Sequence, residues 1–255
     1  MIHHAVVQGS EEWLRLRLGK PTASEFSRIL TPAKLELAAG RHSYAIELLT
    51  EMIIGGPLEN PTTPAMIHGT DTEAKARAAY EMQEGVDVEM CGFCTDDEGR
   101  YGASPDAFVG DEGMLELKSP FKPEVHVGYL LNPDSFRKDY HAQTQSQLFV
   151  CSTIEKATGK PGRKWTDLVS YFTSIPMVKV RIEPDPKFQA ALASALETFL
   201  KELDELRIVA QNRGVKFPED KPAPAPPDHS ADLPTHAEVD YLASVGGIVP
   251  QDGRA

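Results

Sequence analysis

The sequence predicts an α/β domain with a mixed central β-sheet flanked by helices. Three observations predict it. Helical patterns fill the first third of the chain, short apolar runs broken by Gly and Asp follow from Val86 to Lys118, and a helical run, two strand-like runs and a long helix then lead to Asn212. Helices, then strands, then helix and strands are the pattern of helix layers packed on a sheet.

Ser10 to Leu18 reads as a short helix. Ser10 is its N-cap, Glu11 and Glu12 favour the positive end of the helix dipole, and Gly19-Lys20-Pro21 stops it. Thr22-Ala-Ser-Glu25 has the form of a capping box, which predicts a second helix to about Leu30. A third helix spans Ser43 to Ile54 and ends at Gly55-Gly56-Pro57. Thr70 to Glu84 is a fourth, with Thr70 and Glu73 as a further capping box and Gly85 as the stop. Ser135 to Val150 is helical, and strands follow near Asp167 to Phe172 and Met177 to Ile182. Asp185 to Asn212 is a long amphipathic helix with Phe188, Leu192, Leu196, Phe199, Leu203 and Leu206 on its inner side. From Pro218 the composition turns to Pro, Ala and Asp (KPAPAPPDHS), which reads as an extended linker. Thr235 to Ile248 has one or two helical turns' worth of pattern, with Val239, Leu242 and Val245 on one side. The expected division is a domain over 1–217 and a Pro-rich acidic tail over 218–255, disordered or partner-binding.

With 255 residues and 41% hydrophobic content, the chain is long enough for one large domain plus a tail. No run of about 18 apolar residues is present, so a membrane span is not expected. The N-terminal MIHHAVVQGSEEW has neither the basic region nor the apolar run of a secretion signal. Three cysteines without framework spacing suit a reducing, cytoplasmic setting. Cys91-Gly-Phe-Cys94 is half of a metal site with only Cys151 to join it, so a strand-and-turn pair of thiols is the expected reading.

The net charge of −12 opposes a nucleic-acid partner at first sight, because phosphate contacts need cations. The charge is uneven, however: from Pro218 onward seven acidic residues face two basic ones. Basic stretches remain at Arg15 to Lys20, at Arg137-Lys138 and from Lys156 to Lys164. Carboxylates that hold cations also make a nuclease acidic, so total charge does not decide.

The informative stretch runs from Ser104 to Lys118. Gly110 to Gly113 is turn-rich between two strand-like runs, which predicts a hairpin. A turn centred on Asp111 pairs positions whose numbers sum to 222, so Phe108 faces Met114 and Asp106 faces Glu116. Opposed residues share a face. Alternation puts Lys118 on the face of Glu116 and turns Leu115 and Leu117 into a core. Two carboxylates and a lysine on one face suit metal-assisted phosphodiester hydrolysis: hard carboxylate oxygens bind Mg²⁺, which keeps positions open for water and phosphate. Lys118 either orients or deprotonates the water, or stays charged and neutralises the phosphate.

Several segments in order resemble the lambda exonuclease family of phage-type recombination nucleases, the YqaJ-like viral recombinases, a branch of the PD-(D/E)XK superfamily. They are Glu12-Trp13 with Arg17-Leu18-Gly19 and Thr22-Ala23-Ser24; Gly69 followed by Glu73; Ser104-Pro105-Asp106; Leu115-Glu116-Leu117-Lys118; and Tyr140 with Gln143 and Gln145. The resemblance runs with gaps from about Gln8 to Phe199. It implies a restriction-endonuclease-like core, with Asp106 and Glu116 as metal ligands and Lys118 as the catalytic lysine. It also implies a helical glutamate near the metal at Glu73 and a site-organising glutamine at Gln143, whose face Gln147 shares one turn later. Arg17, Ser24 and Ser104 match residues that hold the 5′-terminal phosphate, and a helix opening at Thr22 would add a positive dipole end there.

The implied activity is Mg²⁺-dependent digestion of duplex DNA ends, 5′ to 3′, with Mn²⁺ as a substitute, leaving a 3′ single strand for recombination. The implied assembly is a ring-shaped trimer, and the implied partners are duplex DNA ends and a single-strand annealing protein, in a bacterial or phage setting. An endonuclease or repair nuclease with the same centre, and an inactive DNA-end-binding adaptor, are the alternatives. Lys156, Lys160, Arg163 and Lys164 depart from the family pattern, as either an added backbone-contact loop or a solvated one.

Overall fold

The computed structural model describes residues 1–58 and 63–218. The linker beyond Pro218 and the Thr235 to Ile248 segment lie outside the described residues. In chain order the elements are β1 (Ile2–His4), α1 (Glu11–Arg17), β2 (Leu30–Thr31), β3 (Glu36–Leu37), α2 (Arg41–Ile54), α3 (Pro64–Glu84), β4 (Val88–Met90), β5 (Phe93–Thr95), β6 (Gly102–Ala103), β7 (Ala107–Val109), β8 (Gly113–Lys118), α4 (Pro123–Leu131), α5 (Pro133–Cys151), β9 (Trp165–Ser170), β10 (Val178–Ile182) and α6 (Pro186–Asn212).

The central sheet has the order β10-β9-β8-β7-β4. The β8–β9 pair is parallel and the other pairs are antiparallel, so the sheet is mixed, as predicted. A three-stranded sheet, β1-β5-β6, and the β2-β3 pair complete the strands. The predicted hairpin register holds along its ladder, with Ala107 facing Leu115, Phe108 facing Met114 and Val109 facing Gly113. Two glycines make this hairpin possible. Gly110 takes a φ of 56° in the turn, a conformation that costs other residues energy. A Cβ on Gly113 would stand 2.2 Å from the Trp165 indole across the parallel pair.

Alternation along β7 and β8 divides the core. Ala107, Val109, Leu115 and Leu117 pack against Ala76 and Tyr80 of α3. Phe108 and Met114 point the opposite way, into a larger core with Leu148 of α5 and with Phe188, Leu192, Leu196, Phe199 and Leu203 of α6. Each fully buried aliphatic or aromatic side chain of this kind contributes about 1.5–3 kcal/mol relative to exposure. Helix α6 starts as predicted: Asp185 accepts hydrogen bonds from the N–H groups of Lys187 (3.0 Å) and Phe188 (3.1 Å).

Four departures from the sequence reading have local causes. The Thr22 to Leu30 helix does not form. Glu25 N–H donates to the main-chain oxygen of Thr22 (2.8 Å), and Ala23 N–H donates to Gly102 O (2.9 Å), so Pro21 to Ala23 runs extended beside β6. A single 3₁₀ turn, Phe26–Arg28, is all the helix that remains. Helix α3 opens at Pro64, so position 70 lies inside it and not at its start; proline is favoured at a helix start. Helix α4 was not predicted; its buried residues are His126 and Tyr129. The short strands β1, β2 and β3 lack the length that gives a periodic signal.

The thiols also group differently from the expected pair. Cys91 Sγ and Cys94 Sγ lie 3.7 Å apart, and Cys151, at the end of α5, joins them through Cys94; all three are buried and free.

Candidate active site

Asp106 lies just before β7, after Ser104-Pro105. Its N–H donates to Leu115 O (3.1 Å), and its Oδ2 accepts the N–H of Leu117 (2.6 Å). The carboxylate therefore continues the ladder where the strand backbone stops. Burial, and next the Glu116 charge, push the Asp106 carboxyl well above the usual carboxylate range. Lys118 and the Leu117 N–H oppose that rise only in part.

Glu116, in the middle of β8, is 2% exposed and faces α5. Its Oε1 accepts from Lys118 Nζ (2.6 Å) and from Gln143 Nε2 (2.6 Å), and its Oε2 accepts from Gln147 Nε2 (2.7 Å). The two glutamines are one turn apart on α5, so the spacing that predicts a shared face delivers both amides to one carboxylate. Lys118 Nζ also lies 4.9 Å from the Tyr140 ring centroid. Burial lowers the Lys118 pKa, but Glu116 and Asp106 outweigh it, and the net shift is upward.

Glu73 is not drawn into this group. Helix α3 packs on the opposite face of β8, and Glu73 is paired with Arg77 at 3.6 Å. It is the smallest named influence on Asp106. Among the described residues, no three His, Cys, Asp or Glu side chains converge as a metal-binding group.

A second cluster adjoins the first through Ser104, two residues before Asp106. Trp13 Nε1 donates to Ser104 Oγ (2.9 Å), and the Arg17 guanidinium lies 4.1 Å from the Trp13 ring centroid. Arg17 Nη2 donates to Thr22 Oγ1 at 3.4 Å, and Thr22 Oγ1 is 3.3 Å from Ser24 Oγ. Burial lowers the pKa of Arg17, and no ion pair to it forms among the described residues. A guanidinium with an aromatic face on one side, hydroxyls on the other and no carboxylate is an anion-accepting arrangement. The arrangement does not use a helix dipole, because the helix expected at Thr22 is absent. Trp13 and Thr22 were missed as parts of this cluster, although both stand in segments that carry the resemblance.

The cations of the basic loop after α5 are engaged within the chain. Lys156 pairs with Asp97, Lys160 with Glu89 and Lys164 with Glu112. Arg163 is buried over Phe108, 3.8 Å from its ring centroid, and donates to Gly110 O. These cations tie the loop to neighbouring turns and to strand β4, which favours the solvated-loop alternative over an added backbone-contact surface.

With this geometry in place, the comparisons with known proteins are specific. The model of the YqaJ-like viral recombinase domain matches residues 12–161, a stretch that includes both clusters. The chain belongs to that family. The structure of this YqaJ-like chain is similar to the crystal structure of an alkaline exonuclease, LHK-Exo, from Laribacter hongkongensis, with 30% identity, a TM-score of 0.67 and coverage of 80% of this chain and 98% of that one. LHK-Exo in complex with dAMP aligns equally, at 31% identity, a TM-score of 0.67 and the same coverage. A phage-related exonuclease from Haemophilus somnus 129PT shares the fold at 14% identity, with a TM-score of 0.59 and coverage of 75% of this chain and 96% of that one. No curated protein matches the sequence. The YqaJ-like core is thus the predicted nuclease-type α/β fold, and no helix of the described residues is long and apolar enough to cross a membrane.

Proposed function

We propose that this chain is a Mg²⁺-dependent exodeoxyribonuclease that digests duplex DNA ends 5′ to 3′ and leaves a 3′ single strand for recombination. The observation that carries the reading is the Glu116 carboxylate, held by Lys118 and Gln143 beside Asp106, next to an arginine cluster without a carboxylate. Family membership and the exonuclease titles of the similar structures support it.

The residues fit a divalent cation. Asp106 and Glu116 offer hard oxygens, and burial together with the Glu116 charge leaves Asp106 only partly compensated by Lys118 and the Leu117 N–H. Mg²⁺ is commonly held by one or two carboxylates together with waters and substrate phosphates, so a two-carboxylate centre suffices. Asp106 and Glu116 would hold it; Glu73 would join only by leaving Arg77. When bound, the cation supplies Lewis acidity at the phosphate and lowers the pKa of water. Lys118, held as an ammonium, neutralises charge that gathers on the phosphate oxygens. This favours the charge-stabilising role over the basic one. Gln143 orients Glu116. Arg17 takes the 5′-terminal phosphate, with Ser24 and Ser104 as hydroxyl partners. Mn²⁺ meets the same oxygen preference.

A homotrimer, a single-strand annealing partner and a cytoplasmic place in a bacterial or phage setting belong to the same reading. They rest on family membership, not on any contact within the described residues.

The test compares end-labelled linear duplex with closed circular DNA in Mg²⁺. Linear DNA should be degraded and circles spared; equal cutting of circles would move the assignment to an endonuclease. Arg17→Ala should abolish the preference for a 5′-phosphorylated end. Equal inertness of the parent and Asp106→Ala over several divalent metals would leave the adaptor reading.

A further inference from the structure

Gln147 is buried, 2% exposed, on the inner face of α5. Its Nε2 donates to Glu116 Oε2 at 2.7 Å, while its Oε1 is buried with no hydrogen-bond partner among the described residues. Both atoms hang on one carbon, so the open acceptor stands beside the carboxylate. A buried amide oxygen left unpaired is costly, and an apolar side chain of similar volume would fill the space without that cost. A glutamine here needs a reason other than packing.

The carboxylate supplies one. An ionised carboxylate has about four acceptor positions. At Glu116, Lys118 and Gln143 occupy two on Oε1 and Gln147 occupies one on Oε2. One position on Oε2 is left for a cation. Without the Gln147 amide, Oε2 keeps no hydrogen-bond donor among the described residues.

We propose that Gln147 is a positioning residue for cation capture: its amide holds Glu116 Oε2 in place, so that the remaining acceptor position of that oxygen would stay open to a cation. The inference rests on the metal-dependent reading above. It extends the site by a residue that touches neither DNA nor the ion. Partners that orient metal-binding carboxylates from outside commonly change metal affinity by about 10–100-fold when lost.

The experiment titrates Mn²⁺ into the full-length chain without DNA, by calorimetry and by the electron paramagnetic resonance of the ion. The parent, Gln147→Met, Gln147→Asn and Asp106→Ala are compared. Gln147→Met keeps the volume and loses both polar atoms; Gln147→Asn keeps the amide on a stem one methylene too short to reach. Both should bind Mn²⁺ at least about tenfold more weakly, with an altered resonance line shape. Without metal both variants should still melt cooperatively, at or below the parent's temperature because Glu116 Oε2 loses its donor, and raised Mg²⁺ should restore most of kcat. Should Gln147→Met fail to fold, Gln147→Asn carries the same comparison. If the parent binds Mn²⁺, Asp106→Ala loses it and the folded Gln147 variants bind as the parent does, the positioning role is overturned and the metal centre stands. If the parent itself takes up no Mn²⁺, the metal centre falls and this role falls with it.

Discussion

Three donors meet the carboxylate of Glu116: Lys118 Nζ, Gln143 Nε2 and Gln147 Nε2. A lysine buried alone loses its proton readily; here two carboxylates raise its pKa against the effect of burial. In the function proposed above, its part at the residue scale is that of a fixed positive charge. Lys118→Met should lower kcat by about 10²–10³-fold with little change in the affinity for DNA ends. Single-turnover digestion of a labelled duplex measures the first, and equilibrium binding in Ca²⁺ measures the second. The residue types at Asp106, Glu116 and Lys118 were legible in the sequence because strand alternation and a glycine turn are local rules. The part of Gln147 was legible only as a shared face with Gln143, since a helix period predicts which residues lie together but not what they meet.

At the scale of elements, α3 is fastened to the central sheet by a polar knot that no sequence pattern announces. The Asp167 carboxylate on β9 is fully buried; it accepts from Tyr80 Oη (2.8 Å) and from Arg181 Nε (2.8 Å) and Nη2 (2.9 Å). Arg181 also lies over Trp165, 3.7 Å from its ring centroid. Tyr80→Phe should cost about 1.5–3 kcal/mol, the range for a hydrogen bond to a charged group, and leave Mn²⁺ affinity unchanged. Urea unfolding and calorimetric titration read the two effects.

A second fastening joins the short 3₁₀ turn to α2: Arg28 Nη1 and Nη2 donate to Glu47 Oε2 and Oε1 at 2.7 and 2.6 Å. Arg28 holds the Glu47 carboxyl below its ordinary value. A depressed carboxyl stabilises the fold above its unfolded pKa, and that contribution is lost as pH falls through the folded value. Melting temperatures from about pH 6 to about pH 3 should fall less steeply for Arg28→Ala than for the parent. The pair is largely solvent-exposed, so the difference will be small.

Over the whole molecule, apolar layers pack on both faces of the sheet. Glu116 is paired with Lys118 and hydrogen-bonded by the two glutamine amides. A chelator should therefore abolish digestion and Mg²⁺ should restore it, while the chelated chain still melts cooperatively. Added Mg²⁺ should raise the melting temperature in proportion to the logarithm of its concentration above the dissociation constant. Loss of the cooperative transition on chelation would mean that the ion is structural. The net charge of −12 proved a poor guide to function because charges act locally. Arg17 stands without an ion pair among the described residues, whereas Lys156, Lys160 and Lys164 each have a carboxylate partner.

What could be read from the chain alone was whatever depends on near neighbours: the turn at Gly110, the pairing of β7 with β8, the extent and apolar face of α6 and the family that these segments resemble. Folding settled the rest. Gln143 and Gln147 reach Glu116 across 27 and 31 residues, and Tyr80 reaches Asp167 across 87. The Thr22 segment gave up a helix for hydrogen bonds to Gly102. Such contacts depend on where distant segments are packed, and a capping pattern yields when a sheet edge offers its amide a partner.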